Sequence, residues 1–149
     1  MLQVWSFDPG QTTGWCHLSI LDRKIGTFTC GESDHFQVGN MLYDNPALKA
    51  AASKKELEVV FIVEKFVMNA KISQSPWSLE TTGLIRYFAT RYGIPFHLQT
   101  PSQVKKLVSN DVIKKAELYV PGQGHAMDAV RHGLWYLTAK RGLLTDILI

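Results

Sequence analysis

The alternation of apolar and polar positions changes period several times along the chain, and each change marks an element. Residues 2–7 (LQVWSF) are mostly apolar and aromatic, as in a buried strand, and they stop at the turn signal Asp8-Pro9-Gly10. Residues 14–21 and 25–31 read as two further strands, separated by the polar turn Asp22-Arg23-Lys24. Connections this short imply antiparallel neighbours. Asn45-Pro46 then has the form of a helix N-cap followed by proline at the first helical position, and residues 47–57 favour helix. The run Val59-Val60-Phe61-Ile62-Val63 has no polar break, which suits a central strand covered on both faces; it stops at Glu64.

Residues 66–77 read as a loop. Ser78 is placed to cap a helix that runs to Tyr92 and ends at Gly93. Residues 94–99 form a short strand, and Thr100-Pro101 opens another helix by the same cap-plus-proline logic. Pro121-Gly122-Gln123-Gly124 is a flexible turn, and residues 125–141 make the last helix, closed by Gly142. The predicted order is β-β-β-α-β-α-β-α-α, an α/β fold in which an antiparallel meander and α-linked strands build a mixed sheet with helices against it.

Composition narrows this picture little. At 149 residues, 46% hydrophobic and 19% charged, the chain suits one compact domain over residues 1–149 rather than disorder. Its formal charge of +3 is compatible with a nucleic-acid partner if the basic pairs Lys54-Lys55, Lys105-Lys106, Lys114-Lys115 and Lys140-Arg141 share a face. The plainer reading of each pair is solvated helix surface. Cys16 and Cys30 form no CxxC pair, which argues against a zinc knuckle or a redox motif. No basic leader precedes the first strand and no apolar run is long enough to cross a bilayer, so a soluble, cytoplasmic, reduced protein without a membrane partner is expected.

Three acids draw attention by position. Asp8 ends the first apolar strand, Glu64 ends the most buried-looking one, and Asp128 lies near the start of the last helix, three residues after His125. If the two strands lie side by side and parallel, Asp8 and Glu64 reach the same sheet edge, where their repulsion is relieved by a divalent cation. His125 and Asp128, at i and i+3, project from one helix stripe, and His132 shares it one turn later. Ala126, Val130, Gly133 and Leu137 form a separate stripe that can pack on the sheet. Each acid alone has a structural reading, as a turn residue, a solvated strand end or a helix-start acid. Together they form an oxygen-rich set suited to Mg²⁺ or Mn²⁺, and two such ions suit phosphoryl transfer.

At this point the motifs match a known family. Phe7-Asp8-Pro9-Gly10-Gln11-Thr12-Thr13-Gly14-Trp15 resembles the opening of RuvC-type Holliday junction resolvases, and Val63-Glu64-Lys65-Phe66 is similar to their strand-end Glu motif. Thr100-Pro101-Ser102-Gln103-Val104-Lys105 resembles their later Pro-x-x-Val-Lys segment, and His125-Ala126-Met127-Asp128-Ala129 their C-terminal catalytic helix. The resemblance spans nearly the whole chain, and its compact form is similar to phage-encoded versions. It implies an RNase H-like fold with a five-stranded mixed sheet flanked by helices. It also implies a homodimer that cuts branched DNA with two divalent cations held by Asp8, Glu64, His125 and Asp128. Its lysine roles fall on Lys105 or Lys106, and an aromatic wedge on or beside Phe66.

The residues between Lys106 and His125 are fewer than in bacterial resolvases and offer Lys114-Lys115 in place of a Gly-rich lysine segment, so forks and flaps stand beside four-way junctions as expected substrates. Phe66, Met68 and Trp77 could unstack bases while Lys71 neutralises phosphate, or the aromatics could pack beneath the loop. Arg86 and Arg91 are phosphate-contact candidates or plain surface. Gly83, inside its helix, suggests a close helix approach and a dimer contact, or mere tolerance. Two other function classes stay open. The segment from Asp8 to Gly14 also resembles the phosphate-binding hairpin of actin-like ATPases, and a non-catalytic nucleic-acid-binding module would keep the basic face without the four ligands.

Overall fold

The structure, a computed structural model, describes residues 1–53, 56–67 and 76–149. Three strands open the chain: β1 (Leu2–Asp8), β2 (Thr13–Leu21) and β3 (Lys24–Ser33). The β2–β3 hairpin turns on Asp22 and Arg23, both at positive φ (50° and 63°), a two-residue geometry that matches strand twist. Two short helices follow, α1 (His35–Leu42) and α2 (Pro46–Ser53), then β4 (Glu58–Glu64). The second half holds α3 (Trp77–Tyr92), β5 (Phe96–Gln99), α4 (Pro101–Leu107), α5 (Asn110–Lys115) and α6 (Gly124–Trp135), the last continued by a π-helical turn, Tyr136–Lys140, and a 3₁₀ turn, Thr145–Leu148.

The sheet has five strands in the order β3-β2-β1-β4-β5. β1 pairs antiparallel with β2 and parallel with β4, so the mixed sheet expected from sequence is the one observed. Strand periodicity divides the core in two. Leu2, Val4, Cys16, Leu18, Val60 and Ile62 face α6, whereas Trp5, Phe7, Val59, Phe61 and Val63 face α1, α2 and α3. α6 lies across β2 and β1, buried along the stripe Ala126, Val130, Gly133 and Leu137 that the sequence marks for packing.

Several expected boundaries move, each for a local reason. α1 was not expected: it offers only Val38 and Leu42 to the core, but Asp34 and Gln37 close a reciprocal capping box at its start. Asn45 caps α2 as expected, its Oδ1 accepting from the Ala47 and Leu48 amides at 3.0 and 3.2 Å, yet the helix does not reach 57, since Glu56 and Leu57 are already outside it. α3 starts one residue before Ser78, with Pro76 in the cap position, so Ser78 is not its cap. Its C-terminus is as expected, with Gly93 at φ 66° and its amide donating to Ala89 and Thr90 carbonyls. Thr100 precedes Pro101 at the start of α4, but its side chain makes no capping bond. The last helix leaves α geometry at Trp135, and the expected helix to 141 becomes a π turn in which Thr138 Oγ1 donates back to the Leu134 carbonyl at 2.8 Å. A Cβ on Gly83 would meet nothing within 4 Å among the described residues, so no close approach there accounts for that glycine.

Candidate active site

The carboxylates come together through two periodicities. In β1 the side chains of Leu2, Val4 and Ser6 point to the α6 side, and Asp8, two residues on, continues that face. In β4 Val60 and Ile62 do the same, and Glu64 follows. The parallel register sets Phe7 opposite Val63, so Asp8 and Glu64 leave the sheet side by side at its carboxyl edge. α6 then delivers His125, Asp128 and His132 to that edge from one stripe.

How α6 comes so close is visible in two glycines and one serine. A Cβ at Gly14, the partner of Asp8 across the hairpin, would stand 1.8 Å from the His125 carbonyl oxygen. Only a residue without a side chain lets the helix start rest on β2 there. At Gly133 a Cβ would lie 3.0 Å from Ser6 Oγ, and that buried hydroxyl donates to the Ala129 carbonyl at 2.7 Å. β1 and α6 are thus joined by a hydrogen bond between the two elements that carry Asp8 and Asp128.

Each carboxylate is held through one oxygen among the described residues. Asp8 Oδ2 lies 3.3 Å from His125 Nδ1, Asp128 Oδ1 lies 3.4 Å from Arg131 Nε, and Glu64 Oε2 lies 2.9 Å from His132 Nε2. Arg131 is itself fixed, donating to the Val108 carbonyl at 2.6 Å and to Asn110 Oδ1 at 2.9 Å. The His125 amide donates to Glu32 Oε1 at 3.2 Å, and Ser78 Oγ donates to the Pro9 carbonyl at 3.0 Å, tying the start of α3 to the turn after Asp8. Burial, and after it the charges of Glu64 and Asp128, push the Asp8 carboxyl up to about 7, outweighing His125. That is the electrostatic signature of a largely buried acid sharing one site with two others, the Arg131 charge lying against Asp128 rather than Asp8.

Two clefts open on the cluster. One, of about 320 Å³, is lined by Asp8, Glu64, Phe66 and Ser78. The other, of about 740 Å³, is lined by His125, Asp128, Arg131, Glu32 and Tyr119. Phe66, expected beside the strand end, is half-buried in the first. Lys114 stacks over the Tyr119 ring at 4.8 Å and so borders the second.

Other expected contacts are not brought here. Lys105 and Lys106 are exposed on α4 and line neither cleft. Lys115 Nζ reaches the Asp146 carbonyl at 3.2 Å and the Ile149 carbonyl. The Arg86 guanidinium sits 4.9 Å over the Phe96 ring, at the start of β5, whereas Glu64 pairs with Gln99 at its end. Met68 and Lys71 lie outside the described residues.

A closed four-ligand cage is not formed as the side chains stand: among the described residues no three acidic, histidine or cysteine groups are placed to hold a metal ion. The donor chemistry nonetheless fits a hard divalent cation, since Asp8 is half-buried beside two further carboxylates and accommodates its charge poorly without one. His132, Gln99, Arg131 and Glu32 were not assigned roles from sequence. The only signal for His132 was its place on the stripe of His125 and Asp128.

No protein-family model matches the sequence, and neither does any curated protein. Among solved structures, the chain is similar to Thermus thermophilus RuvC, at 15% identity and TM-score 0.64, with 95% of this chain and 97% of that one covered. It is also similar to T. thermophilus RuvC in complex with a Holliday junction substrate, at 16% identity and TM-score 0.63 over the same shares. The likeness shows the RNase H-like fold. Among the described residues no helix is long and apolar enough to cross a membrane.

Proposed function

We propose that residues 1–149 form one nuclease domain, a metal-dependent, structure-selective endodeoxyribonuclease that hydrolyses phosphodiester bonds in Holliday junctions or other branched DNA. The observation that carries this reading is the convergence of Asp8, Glu64 and Asp128, from β1, β4 and α6, at one sheet edge, with the Asp8 carboxyl pushed up to about 7. The fold it shares with a RuvC solved on a junction substrate supports the choice of branched DNA.

Asp8, Glu64, His125 and Asp128 would hold two Mg²⁺ or Mn²⁺ ions. Bound there, the ions supply Lewis acidity, neutralising charge on a phosphoryl group and making a water more acidic. The chain does the rest. Arg131 orients the Asp128 carboxylate, and the Glu32 carboxylate fixes the amide at the start of α6. The two clefts give a backbone phosphate room on either side of the acids, with Phe66 flanking one and Lys114 the other. Lys105 and Lys106, and more weakly Arg86 and Lys115 given their present partners, are outlying phosphate contacts. A homodimer would present two such sites to the opposed strands of a junction, and a soluble cytoplasmic setting suits it.

The test is incubation with end-labelled four-way, forked and linear DNA in Mg²⁺, Mn²⁺ or EDTA. Cleavage of the branched substrates with either metal, and none in EDTA, is expected. Cutting that persists in EDTA, or absence of cutting with both metals, would overturn the reading.

A further inference from the structure

His132 is 1% exposed, the most buried ionisable side chain near the site. Its ring bridges two elements. Nε2 lies 2.9 Å from Glu64 Oε2 on β4, and Nδ1 lies 2.8 Å from Gln99 Oε1 on β5. Gln99 is also buried, and the sheet register pairs it with Glu64 directly. The Lys65 amide donates to the Gln99 carbonyl at 2.8 Å, so the backbone on both sides of this triangle is fixed.

The hydrogens can be assigned from the inventory of donors. A carboxylate oxygen only accepts, so His132 Nε2 must carry hydrogen toward Glu64. Gln99 then satisfies Nδ1 in one of two ways. Its amide NH₂ donates to a neutral ring, the two amide atoms exchanged relative to the coordinates, or its oxygen accepts from an Nδ1–H. Both arrangements leave the donor at Nε2 in place. The same oxygen of Glu64 is therefore occupied in either, and the other oxygen has no hydrogen-bond partner among the described residues.

We infer that the buried relay Gln99–His132–Glu64 is a positioning device, with Gln99 orienting the His132 ring so that its Nε2–H fixes one oxygen of Glu64 and presents the other to a divalent cation. This rests on the metal reading proposed above. The physical case is one of rotamer freedom. Glu has three side-chain torsions, and a strand-end glutamate facing a cleft samples many of them. A carboxylate tethered through one oxygen to a ring that cannot move keeps its second oxygen in one place. His132 and Gln99 act through Glu64 and touch no substrate. The loss of such outer partners generally costs 10–100-fold in metal affinity.

The experiment reads Mn²⁺ uptake by the DNA-free protein, from the free-Mn²⁺ EPR signal, beside Tm in EDTA and DNA affinity in EDTA. Asp8→Asn serves as the control for metal at this site. His132→Leu fills the space without the N–H, and its Mn²⁺ affinity should fall about 10–100-fold while DNA affinity in EDTA stays within about two-fold. His132→Gln places an amide N–H near the position of Nε2 and should recover affinity to within about three-fold of wild type. Gln99→Leu, which frees the ring but keeps its N–H, should fall between, about 3–10-fold. A role confined to packing predicts the reverse order, with Leu tolerated better than Gln. A folded His132→Leu with wild-type Mn²⁺ affinity overturns the relay alone. Should that variant fail to fold, unchanged affinity in Gln99→Leu does the same. If wild-type protein takes up no Mn²⁺ that Asp8→Asn abolishes, the metal reading itself falls and the relay with it.

Discussion

The two faces of the sheet are built from the same strands by the same alternation, yet they differ in kind. The face toward α1, α2 and α3 is closed by Trp5, Phe7, Phe61, Val63, Ile85 and Phe88, with the Phe7 and Phe61 rings edge-on at 5.7 Å. Among the described residues its polar ties between these helices are few, such as the Tyr92 hydroxyl donating to the Leu42 carbonyl at 2.7 Å and the Asn45 side-chain amide donating to the Met41 carbonyl at 3.0 Å. The face toward α6 turns polar where β1 and β4 approach the carboxyl edge, with Ser6 and then Asp8 on β1, and Glu64 beyond Ile62 on β4. One face supplies cohesion through area and packing, which tolerates small shifts. The other is specified by hydrogen bonds and backbone contacts, which do not. The side bearing the chemistry is therefore the one whose geometry is over-determined.

Substitutions on the two faces should separate cohesion from chemistry. Asp8→Asn and Asp128→Asn should each lower junction cleavage by at least ~10³-fold, roughly 4 kcal/mol of barrier, while gel-shift affinity for DNA in EDTA stays unchanged. Retained cleavage in both variants would remove the α6 face from the chemistry. On the opposite face Phe61→Ala should cost about 3–5 kcal/mol in urea unfolding and leave Mn²⁺ uptake by the folded fraction intact. Gly14→Ala should cost about 3 kcal/mol, because its Cβ would meet the His125 backbone and the start of the held helix must be forced off β2. Its cleavage rate should also drop about 100-fold, since His125 retreats with the helix. A Gly14→Ala enzyme of full activity would show that the close approach is not needed.

Smaller again is a pH effect. The Asp8 carboxyl is pushed up to about 7 from its ordinary 3.8, so the fold disfavours its charged form. Its contribution to stability is fully present below about pH 4 and is lost as pH rises through about 7. In EDTA the wild-type Tm should therefore fall across that window by ~2–6 °C more than that of Asp8→Asn, and Mn²⁺ should reduce the difference. Parallel Tm curves for the two proteins would refute this electrostatic account. The smallest expected effect is Ser6→Ala, about 1–2 kcal/mol from the lost bond to Ala129, measured by denaturant unfolding.

Much of this was legible in the sequence because it rests on local chemistry. The unbroken run before Glu64, the Asp22-Arg23 hairpin turn, Asn45-Pro46 and Gly93 each encode their own geometry, and each is found where it reads. The pairing of Asp8 with Glu64 was legible as well, since two strand-end acids need only a parallel register to meet. The misreadings have a common cause in tertiary context. Ser78 has the chemistry of a cap, but Pro76 already starts α3 and the hydroxyl finds Pro9 instead. α1 leaves Phe36 73% exposed, so its hydrophobic pattern is too weak to announce a helix. His132 reads as one more member of a polar stripe, and nothing local shows that a buried glutamine from an edge strand will meet it. Nor does a sequence reveal that Arg86 will settle on Phe96, far from the acids.

The β2–β3 hairpin holds α6 at its start and the chain just past the π turn that continues it. Near the start, Gly14 admits the His125 backbone to contact; past the π turn, the Arg23 guanidinium at the hairpin tip donates to the Gly142 carbonyl at 3.1 Å. A helix and its continuation held along one ribbon cannot slide or rotate against it without losing both contacts. The contact at Gly14 thus sets the phase of His125, Asp128 and His132 relative to Asp8. Any adjustment on loading is left to side-chain torsions, which settle in picoseconds to nanoseconds where a shifting helix takes microseconds or longer.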